Sequence, residues 1–311
     1  MAAILFRDLA REWWENTMLE GNLEYANESW RRLERDLLVY TGEREAKRLT
    51  APQFLKVLRR IEARGTLVVA RKVKSHASQI MQYGIACGHV LRNPVRDLGA
   101  ALKQKKSRPR PALLDAKDIG RLMMDIERLP WARKTPTRIK RQCMLKLTAL
   151  LFPRPGTICQ AEWDEFDMGE GIWKIPGHKM KMKKPHAIPL PKQALETLWL
   201  LRTVTGHSRW LFPSRWDKRR NETGRVLNLA LRRMGYSGDV MTAHGFRAMA
   251  ATVLREEGWA SELIERQLAH EDKNAVRAAY QRSELLEQRR KMLQAWGDWL
   301  DMRCGWAMLG K

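Results

Sequence analysis

The chain has 311 residues, of which 44% are hydrophobic and 30% are charged, a composition that predicts a folded protein and excludes an intrinsically disordered one. Its formal net charge of +23 favours a polyanionic partner, because each phosphate neutralised by Lys or Arg releases condensed counterions. Charge alone leaves ribosome-like binding and membrane-surface binding open. No apolar run approaches the roughly 18 residues of a membrane span, which excludes a transmembrane protein.

The positive charge is spread over the whole chain. Residues 1–110 contain 22 Lys and Arg against 12 Asp and Glu, and residues 111–311 contain 36 against 23. This distribution predicts a protein that surrounds its polyanion, whereas a single basic arm would predict a tether.

The four cysteines are far apart and form no CxxC pair. We therefore expect neither a disulfide framework nor a metal site, and we expect no cofactor. The apolar start of the chain is too short for a signal peptide. These features predict a cytoplasmic protein that does not contact a membrane.

The first hundred residues predict a small helical bundle, which we assign to a domain over residues 1–102. The basic faces of its helices are explained equally well by solvation and by binding. Apolar side chains recur at helical spacing over 3–19, 25–40, 51–64 and 66–90.

A basic segment with two prolines, residues 103–111, follows the bundle. Like charges keep such a segment extended, so it predicts a domain linker that can lie along a phosphate backbone. Its basic residues, predicted to contact the polyanion, are Lys103, Lys105, Lys106, Arg108 and Arg110.

Residues 112–311 predict a second domain, and the predicted fold class of the chain is mainly α with a small antiparallel β-sheet. Predicted strands lie at 158–165, 171–176 and 185–190. Helical spacing covers 116–128, 138–152, 192–204, 223–234, 243–257, 260–269, 273–281 and 284–302.

Arg154 lies between two prolines at the end of a predicted helix. The prolines stiffen its backbone, and a guanidinium held in this way can clamp phosphate oxygens. A helix stop with a surface arginine explains the same pattern.

His244 and Arg247 lie at the start of a predicted helix that Thr242 can cap. Their i, i+3 spacing places them on one helix face. An imidazole beside a guanidinium can bind phosphate and handle a proton, although such pairs also arise by chance.

His270 ends a predicted helix, and Tyr280 follows ten residues later among alanines. If the next helix folds back, it can place this tyrosine in the same cavity as His270. A tyrosine in such surroundings is more often part of the core or its rim.

Four lysines lie on a predicted hairpin between two strands. A hairpin lysine can reach into a groove and deliver a proton, and an exposed basic turn is the simpler explanation. The four are Lys179, Lys181, Lys183 and Lys184.

The order of these motifs resembles the active-site set of the tyrosine recombinases: an arginine, a hairpin lysine, His-x-x-Arg, a second histidine and a tyrosine. The likeness is closest to the integrases of satellite phages and genomic islands. It extends from about Phe6 to Asp301 and is carried by segments 60–65, 93–98, 175–176, 179–182, 185–190, 241–248 and 264–270.

The resemblance implies a core-type DNA-binding domain followed by a recombinase catalytic domain. It implies an enzyme that cleaves and rejoins DNA through a 3′-phosphotyrosine, and so integrates or excises a mobile element in the bacterial cytoplasm or nucleoid. Its implied partners are double-stranded DNA, further protomers in a dimer or tetramer on DNA, and accessory DNA-bending proteins.

The resemblance also assigns roles to the site residues. It implies that Arg154 and Arg247 bind the non-bridging oxygens of the scissile phosphate while Tyr280 attacks it. His270 would hydrogen-bond a phosphate oxygen, and His244 would accept the proton of the tyrosine.

Lys181, eight residues before Pro189, is implied as the general acid for the leaving 5′-oxygen. The other three hairpin lysines are fallback choices for this role, and we predict that they contact DNA. The chemistry is self-consistent, because guanidinium groups stabilise the charge that builds on phosphorus without a metal, and a phenol needs a cationic pocket or a base to attack at neutral pH.

Two features depart from the family pattern. Thr157 stands where the family usually has an acidic residue that steadies the site. The chain also begins directly at the core-binding region, where related integrases usually have an arm-binding domain first.

Two alternative functions follow from these observations. Thr157 favours a DNA-binding protein that has lost catalysis, and a type IB topoisomerase would share the chemistry without strand exchange. A C-terminal helix with Trp296 and Trp299 at i, i+3 is predicted either to dock onto a neighbouring protomer or to pack on its own domain.

Overall fold

The computed structural model describes residues 4–19, 23–104, 111–128, 135–180, 182–270 and 282–310. The chain divides into two compact units, Met1–Arg108 and Pro109–Lys311. Several predicted features lie outside the described residues: the helix at 273–281 with Tyr280, the hairpin residue Lys181, and the linker residues Lys105, Lys106, Arg108 and Arg110.

The first unit is helical, as its apolar spacing predicts. Two of the predicted helices continue through a wider π-helical segment, at Trp14–Met18 and Glu34–Leu38. The α-helices are α1 (Phe6–Trp13), α2 (Leu23–Leu33), α3 (Val39–Thr41), α4 (Ala51–Ala63) and α5 (Leu67–Ala86).

Local sequence fixes where α4 begins and ends. Gln53 Oε1 accepts a hydrogen bond from the backbone N–H of Thr50 at 2.9 Å, which satisfies a donor at the helix start. Gly65, with φ +76°, provides the left-handed residue that ends the helix. The core of the unit forms around Phe6 and Phe54, whose rings pack edge to face at 5.4 Å.

The second unit is mainly helical around a three-stranded antiparallel sheet of order β1-β2-β3. The strands are β1 (Phe166–Asp167), β2 (Ile172–Ile175) and β3 (His186–Pro189). The helices are α6 (Ala116–Arg128), α7 (Pro136–Leu151), α8 (Pro155–Cys159), α9 (Lys192–Thr205), α10 (Arg225–Arg233), α11 (Gly245–Glu256), α12 (Ser261–Gln267) and α13 (Arg282–Met308). The predicted fold class is confirmed.

The predicted strand over 158–165 is wrong. Pro155 starts α8, which ends at Cys159, and a 3₁₀ turn at Trp163–Glu165 precedes β1. Ile158 and Cys159 are buried in the core on a helical turn and not on a strand. A short apolar run does not distinguish these two ways of being buried.

The C-terminal helix α13 packs on its own domain, principally against α6. Trp296 is 1% exposed, and its Nε1 donates a hydrogen bond to the carbonyl of Ala149 at 3.0 Å. Trp299 stacks on it at 5.3 Å. Of the two explanations offered for this helix, packing on its own domain is therefore confirmed for Trp296. Within the described ranges, no helix is both long enough and apolar enough to cross a membrane.

Candidate active site

A sharp turn after α7 positions Arg154. Phe152 takes the left-handed conformation (φ 38°, ψ 46°) that ends α7, and its side chain is fully buried. This conformation costs a non-glycine residue about 1 kcal/mol, and the buried ring holds it in place. Between its two prolines Arg154 is extended (φ −63°, ψ 140°), and its Nη2 donates to the carbonyl of Ala269 at 3.3 Å.

Arg247 connects two chain ends that lie beside Arg154. Its Nη1 donates to the carbonyl of Phe152 at 2.9 Å, and its Nη2 donates to the carbonyl of Leu268 at 2.7 Å. The first carbonyl lies two residues before Arg154, and the second lies one residue before the carbonyl that Arg154 contacts. The two guanidinium groups predicted to act together are therefore neighbours in the structure.

The start of α11 sets the direction of Arg247. Thr242 Oγ1 accepts a hydrogen bond from the N–H of Gly245, the first helical residue, at 3.2 Å. A Cβ at Gly245 would lie 2.5 Å from the carbonyl oxygen of Pro111, so only glycine lets the chain pass across this helix end. His244 is half-buried immediately before the helix, and its carbonyl accepts from the N–H of Arg247 at 3.2 Å.

His270 lies beside Arg247. Ala269, with φ +49°, turns the chain out of α12 and brings His270 Nε2 to 3.4 Å from Arg247 Nη2. The other ring nitrogen, Nδ1, lies 2.5 Å from Glu265 Oε2. Glu265 also accepts from Arg255 Nη2 at 2.5 Å. The carboxylate thereby orients the imidazole toward the guanidinium pair.

A small cavity in front of the two arginines is lined by Arg154, Arg247, Thr157 and His186, with apolar walls from residues of β2 and β3. Thr157 occupies the position of the expected carboxylate and is 7% exposed. Burial and the nearby Arg289, together with the two cavity arginines, lower the pKa of His186 to about 3.

A buried polar link behind this cavity was not predicted from the sequence. Arg289, on α13, donates to Gln267 Oε1 from Nε at 3.2 Å and from Nη2 at 2.5 Å, and it donates to the carbonyl of Ala187 at 2.8 Å. Gln267 in turn donates to the carbonyl of Leu151 at 3.1 Å. Burial lowers the pKa of Arg289 to about 10. An arginine among other charged residues of an amphipathic helix gives no sequence signal of burial.

The hairpin lysines are placed differently from one another. The Nζ of Lys179 donates to the carbonyl of Gln160 at 2.8 Å, to Glu162 at 2.6 Å and to Glu165, and its side chain is 7% exposed. These contacts argue against the two roles predicted for Lys179, because its charge is used within the protein. Lys183 and Lys184 are exposed.

A basic loop that was not predicted from the sequence lies between α9 and α10. This Trp216 loop, residues 214–220, exposes Trp216 by 90%, and the side chains of Arg219 and Arg220 are 92% and 83% exposed. It is held at its base by a hydrogen bond from the N–H of Ser214 to the carbonyl of Arg220, at 2.7 Å. The combination of Trp with successive basic residues was its only sequence signal.

One further group of potential metal ligands lies in the first unit. Ligand atoms of Glu12, Cys87 and His89 lie within 4.8 Å of one another. Glu12 accepts a hydrogen bond from the hydroxyl of Tyr83 at 3.0 Å and pairs with His89 at 3.5 Å, so hydrogen bonding accounts for this group.

Family profiles match both units of the chain. The phage integrase central domain matches residues 6–101, and the phage integrase family matches residues 113–286. The chain belongs to the phage integrase family. The integrase of Enterobacteria phage P4 is 33% identical over 315 residues, covering 96% of this chain and 70% of that protein. Prophage integrase IntA of Escherichia coli K12 is 33% identical over 290 residues, covering 93% and 68%.

Solved structures agree with this assignment. A lambda integrase dimer bound to a COC′ core site superposes with a TM-score of 0.67 at 18% identity, over 86% of this integrase and 96% of that chain, which shows a common fold. The predicted membership of the tyrosine recombinases is confirmed, and this integrase is a tyrosine-type site-specific DNA recombinase.

Proposed function

We propose that this recombinase holds the scissile phosphate between Arg154 and Arg247 and attacks it with Tyr280. The observation that carries the proposal is the pair of hydrogen bonds from Arg247 to Phe152 and Leu268. They fix one guanidinium beside the other before any DNA binds, and preorganised charge is what a phosphoryl-transfer transition state requires.

The proposed reaction exchanges one ester bond to phosphorus for another, so the number of phosphodiester linkages stays constant. The phenolic oxygen of Tyr280 forms a bond to phosphorus as the bond from phosphorus to the 5′-oxygen breaks. His244 accepts the phenolic proton, and Lys181 gives a proton to the departing 5′-oxygen. Attack by the 5′-hydroxyl of another strand reverses these steps, so rejoining needs no nucleotide cofactor.

His270 would contact a non-bridging oxygen of the same phosphate. Support comes from its ring position, with Nε2 3.4 Å from Arg247 and Nδ1 held by Glu265. A third contact of this kind would share the charge that develops on the phosphate oxygens.

We propose that both units bind DNA. Residues 1–102 would form the core-type DNA-binding domain, 103–111 the linker, and 112–311 the catalytic domain. The proposed backbone contacts are Lys103, Lys183, Lys184 and the Trp216 loop, whose exposed charges suit a polyanion. Lys103 is exposed, and its backbone is anchored to Glu62 by a 2.8 Å hydrogen bond.

We further propose that protomers pair on DNA within the bacterial cytoplasm or nucleoid, with or without accessory DNA-bending proteins. Lambda integrase has been seen as a dimer on a core site and as a tetramer on a Holliday junction, and strand exchange needs a cut on each partner. Gel filtration with and without target DNA tests this, and a monomer under both conditions would contradict it.

Covalent capture of DNA tests the catalytic proposal. Protein–DNA adducts are isolated under denaturing conditions from cells that express the chain, and the attached DNA is sequenced to find the target. A duplex of that sequence, nicked beside the cut site, should then trap the purified protein. Mass spectrometry should find the nucleotide on Tyr280, and Tyr280→Phe should form no adduct.

The other outcomes identify the alternatives. Specific binding without an adduct would favour a DNA-binding protein that has lost catalysis, to which Thr157 points because it replaces the carboxylate at a buried position of the site. Relaxation of supercoiled DNA without a recombinant product would favour a topoisomerase. An adduct on another residue would overturn the role of Tyr280.

A further inference from the structure

His186, on β3, lines the active-site cavity, and one nitrogen of its ring has no hydrogen-bond partner among the described residues. Its Nε2 is buried and has no hydrogen-bond partner among the described residues. The ring lines the same cavity as Arg154 and Arg247. A buried polar atom left in this way costs about 1–3 kcal/mol, so its retention calls for an explanation beyond packing.

The other ring nitrogen of His186, Nδ1, already forms a hydrogen bond. The ring forms a hydrogen bond to the backbone of Gln267 that acts to raise the pKa of His186, so the ring donates to the Gln267 carbonyl. Because Nε2 has no partner among the described residues, the nitrogen involved is Nδ1. A carbonyl only accepts, so Nδ1 carries the hydrogen, and in the neutral ring Nε2 presents a lone pair to the cavity.

We propose that His186 is a phosphate-binding residue of this recombinase, and that its Nε2 takes up a proton when phosphate enters the cavity and donates it in a hydrogen bond to a phosphate oxygen. The inference rests on the proposed function of the Arg154 and Arg247 pair.

The surrounding charges explain why the proton arrives only with the anion. Three cations face the ring from separate elements: Arg154 before α8, Arg247 on α11 and Arg289 on α13, with neutral Gln267 on α12. In the empty site these cations and burial disfavour an imidazolium. A bound phosphate offsets the charge of the two cavity arginines and adds an acceptor, so both effects then favour protonation.

Nuclear magnetic resonance of the ring measures this coupling directly. The full chain, with labelled histidines, is titrated over pH in chloride and again in saturating inorganic phosphate, and His186→Asn assigns the signal. We expect the protonation midpoint of His186 to rise by at least one pH unit in phosphate. The exposed His207 is the matched control and should show no comparable rise.

Two replacements of His186 distinguish a phosphate-binding role from a purely structural role in the covalent DNA assay. His186→Asn keeps a donor at the position of Nδ1 and removes Nε2, whereas His186→Gln places an amide donor near the position of Nε2. We expect adduct formation by His186→Asn to fall by roughly tenfold to a hundredfold. His186→Gln should recover part of the loss, and both variants should lack the part of the pH profile that titrates with the ring.

Two results would overturn the proposal: a His186 signal that does not respond to phosphate, or a His186→Asn variant with the pH profile of the parent chain. Failure of the parent chain to form any adduct, with a phosphate-responsive His186, would instead count against the proposed catalytic function. Thermal melting of each variant shows whether it is folded.

Discussion

Nδ1 of His270 lies 2.5 Å from a carboxylate oxygen of Glu265, and this contact leaves the opposite ring nitrogen facing Arg247. An imidazole held on one side by a carboxylate has a defined tautomer and a defined direction. Glu265 is thus a positioning residue for the second histidine of the site, a role that the sequence did not predict although Glu265 lies in the segment 264–270.

Removing this carboxylate should slow cleavage without affecting DNA binding. We expect Glu265→Ala to reduce single-turnover adduct formation by about tenfold, the effect of losing one charge-assisted hydrogen bond. Glu265→Gln, which keeps an acceptor, should lose less. Glu262→Ala, on the exposed side of the same helix, is the matched control, and an equal effect of both alanine variants would contradict the positioning role.

The two arginines should differ in their effect on stability. Among the described residues, Arg247 donates to two backbone carbonyls at 2.9 and 2.7 Å, whereas Arg154 donates to one at 3.3 Å. We expect Arg247→Ala to lower the free energy of unfolding by about 2 kcal/mol and Arg154→Ala by less than about 1 kcal/mol, while both abolish adduct formation. Urea denaturation measures the difference, and equal losses of stability would contradict it.

His186 should make the protein less stable in acid. An unfolded histidine titrates near pH 6.5, whereas burial and nearby arginines lower the pKa of His186 to about 3 in the folded chain. Between these pH values the unfolded state binds more protons. Titration of His186 therefore does not change the free energy of unfolding above about pH 6.5. As the pH is lowered from 6.5 toward 3, protonation of the unfolded state decreases that free energy by up to about 1.4 kcal/mol per pH unit.

Denaturation of His186→Asn between pH 4.5 and 7.5 should show a shallower acid dependence than the parent chain. His207→Asn, a change at an exposed position, should leave it unchanged. His76, whose pKa is lowered by burial and by Arg32 and Lys72, adds a slope of the same sign that both variants retain. An unchanged slope in His186→Asn would show that this ring is not held neutral.

The Trp216 loop should contribute to DNA affinity mainly through charge. Each lost phosphate contact reduces the dependence of log affinity on log salt concentration by about one. We therefore expect the double change Arg219→Ala and Arg220→Ala to reduce that slope by about two for any duplex. Arg202→Ala, at an exposed position of α9, is the control with the same change of charge, and a similar slope for both would remove the loop from the interface.

Trp216→Ala tests a separate contribution of the indole. If the ring stacks on a base or a sugar, affinity should fall by roughly tenfold while the salt slope stays constant, because no charge is lost. A changed slope with unchanged affinity at low salt would assign the effect to Arg215, whose guanidinium lies 5.4 Å from the ring centre.

Much of the fold follows from local pattern. The spacing of apolar residues over 51–64 predicts α4, because a helix with one buried stripe needs that period. The prediction of a strand over 158–165 was wrong, because Pro155 begins a helical turn and buried residues can lie on a helix as well as on a strand. Residues that lie close along the chain, such as His244 and Arg247, could be placed on one helix face for the same reason.

Sequence alone determined the family, since this follows from residue types and their order, and for the same reason it predicted the set of polar residues that we propose act together. Only the tertiary structure showed that Arg247 reaches Phe152 and Leu268, that Glu265 holds His270, and that Lys179 is enclosed by carboxylates. Some of these contacts join positions that are far apart along the chain. Others join positions separated by a turn, and the spacing of residues along the sequence does not determine the direction of that turn. Their distances depend on how α7, α11 and α12 pack, and the linear order of residues does not state that packing.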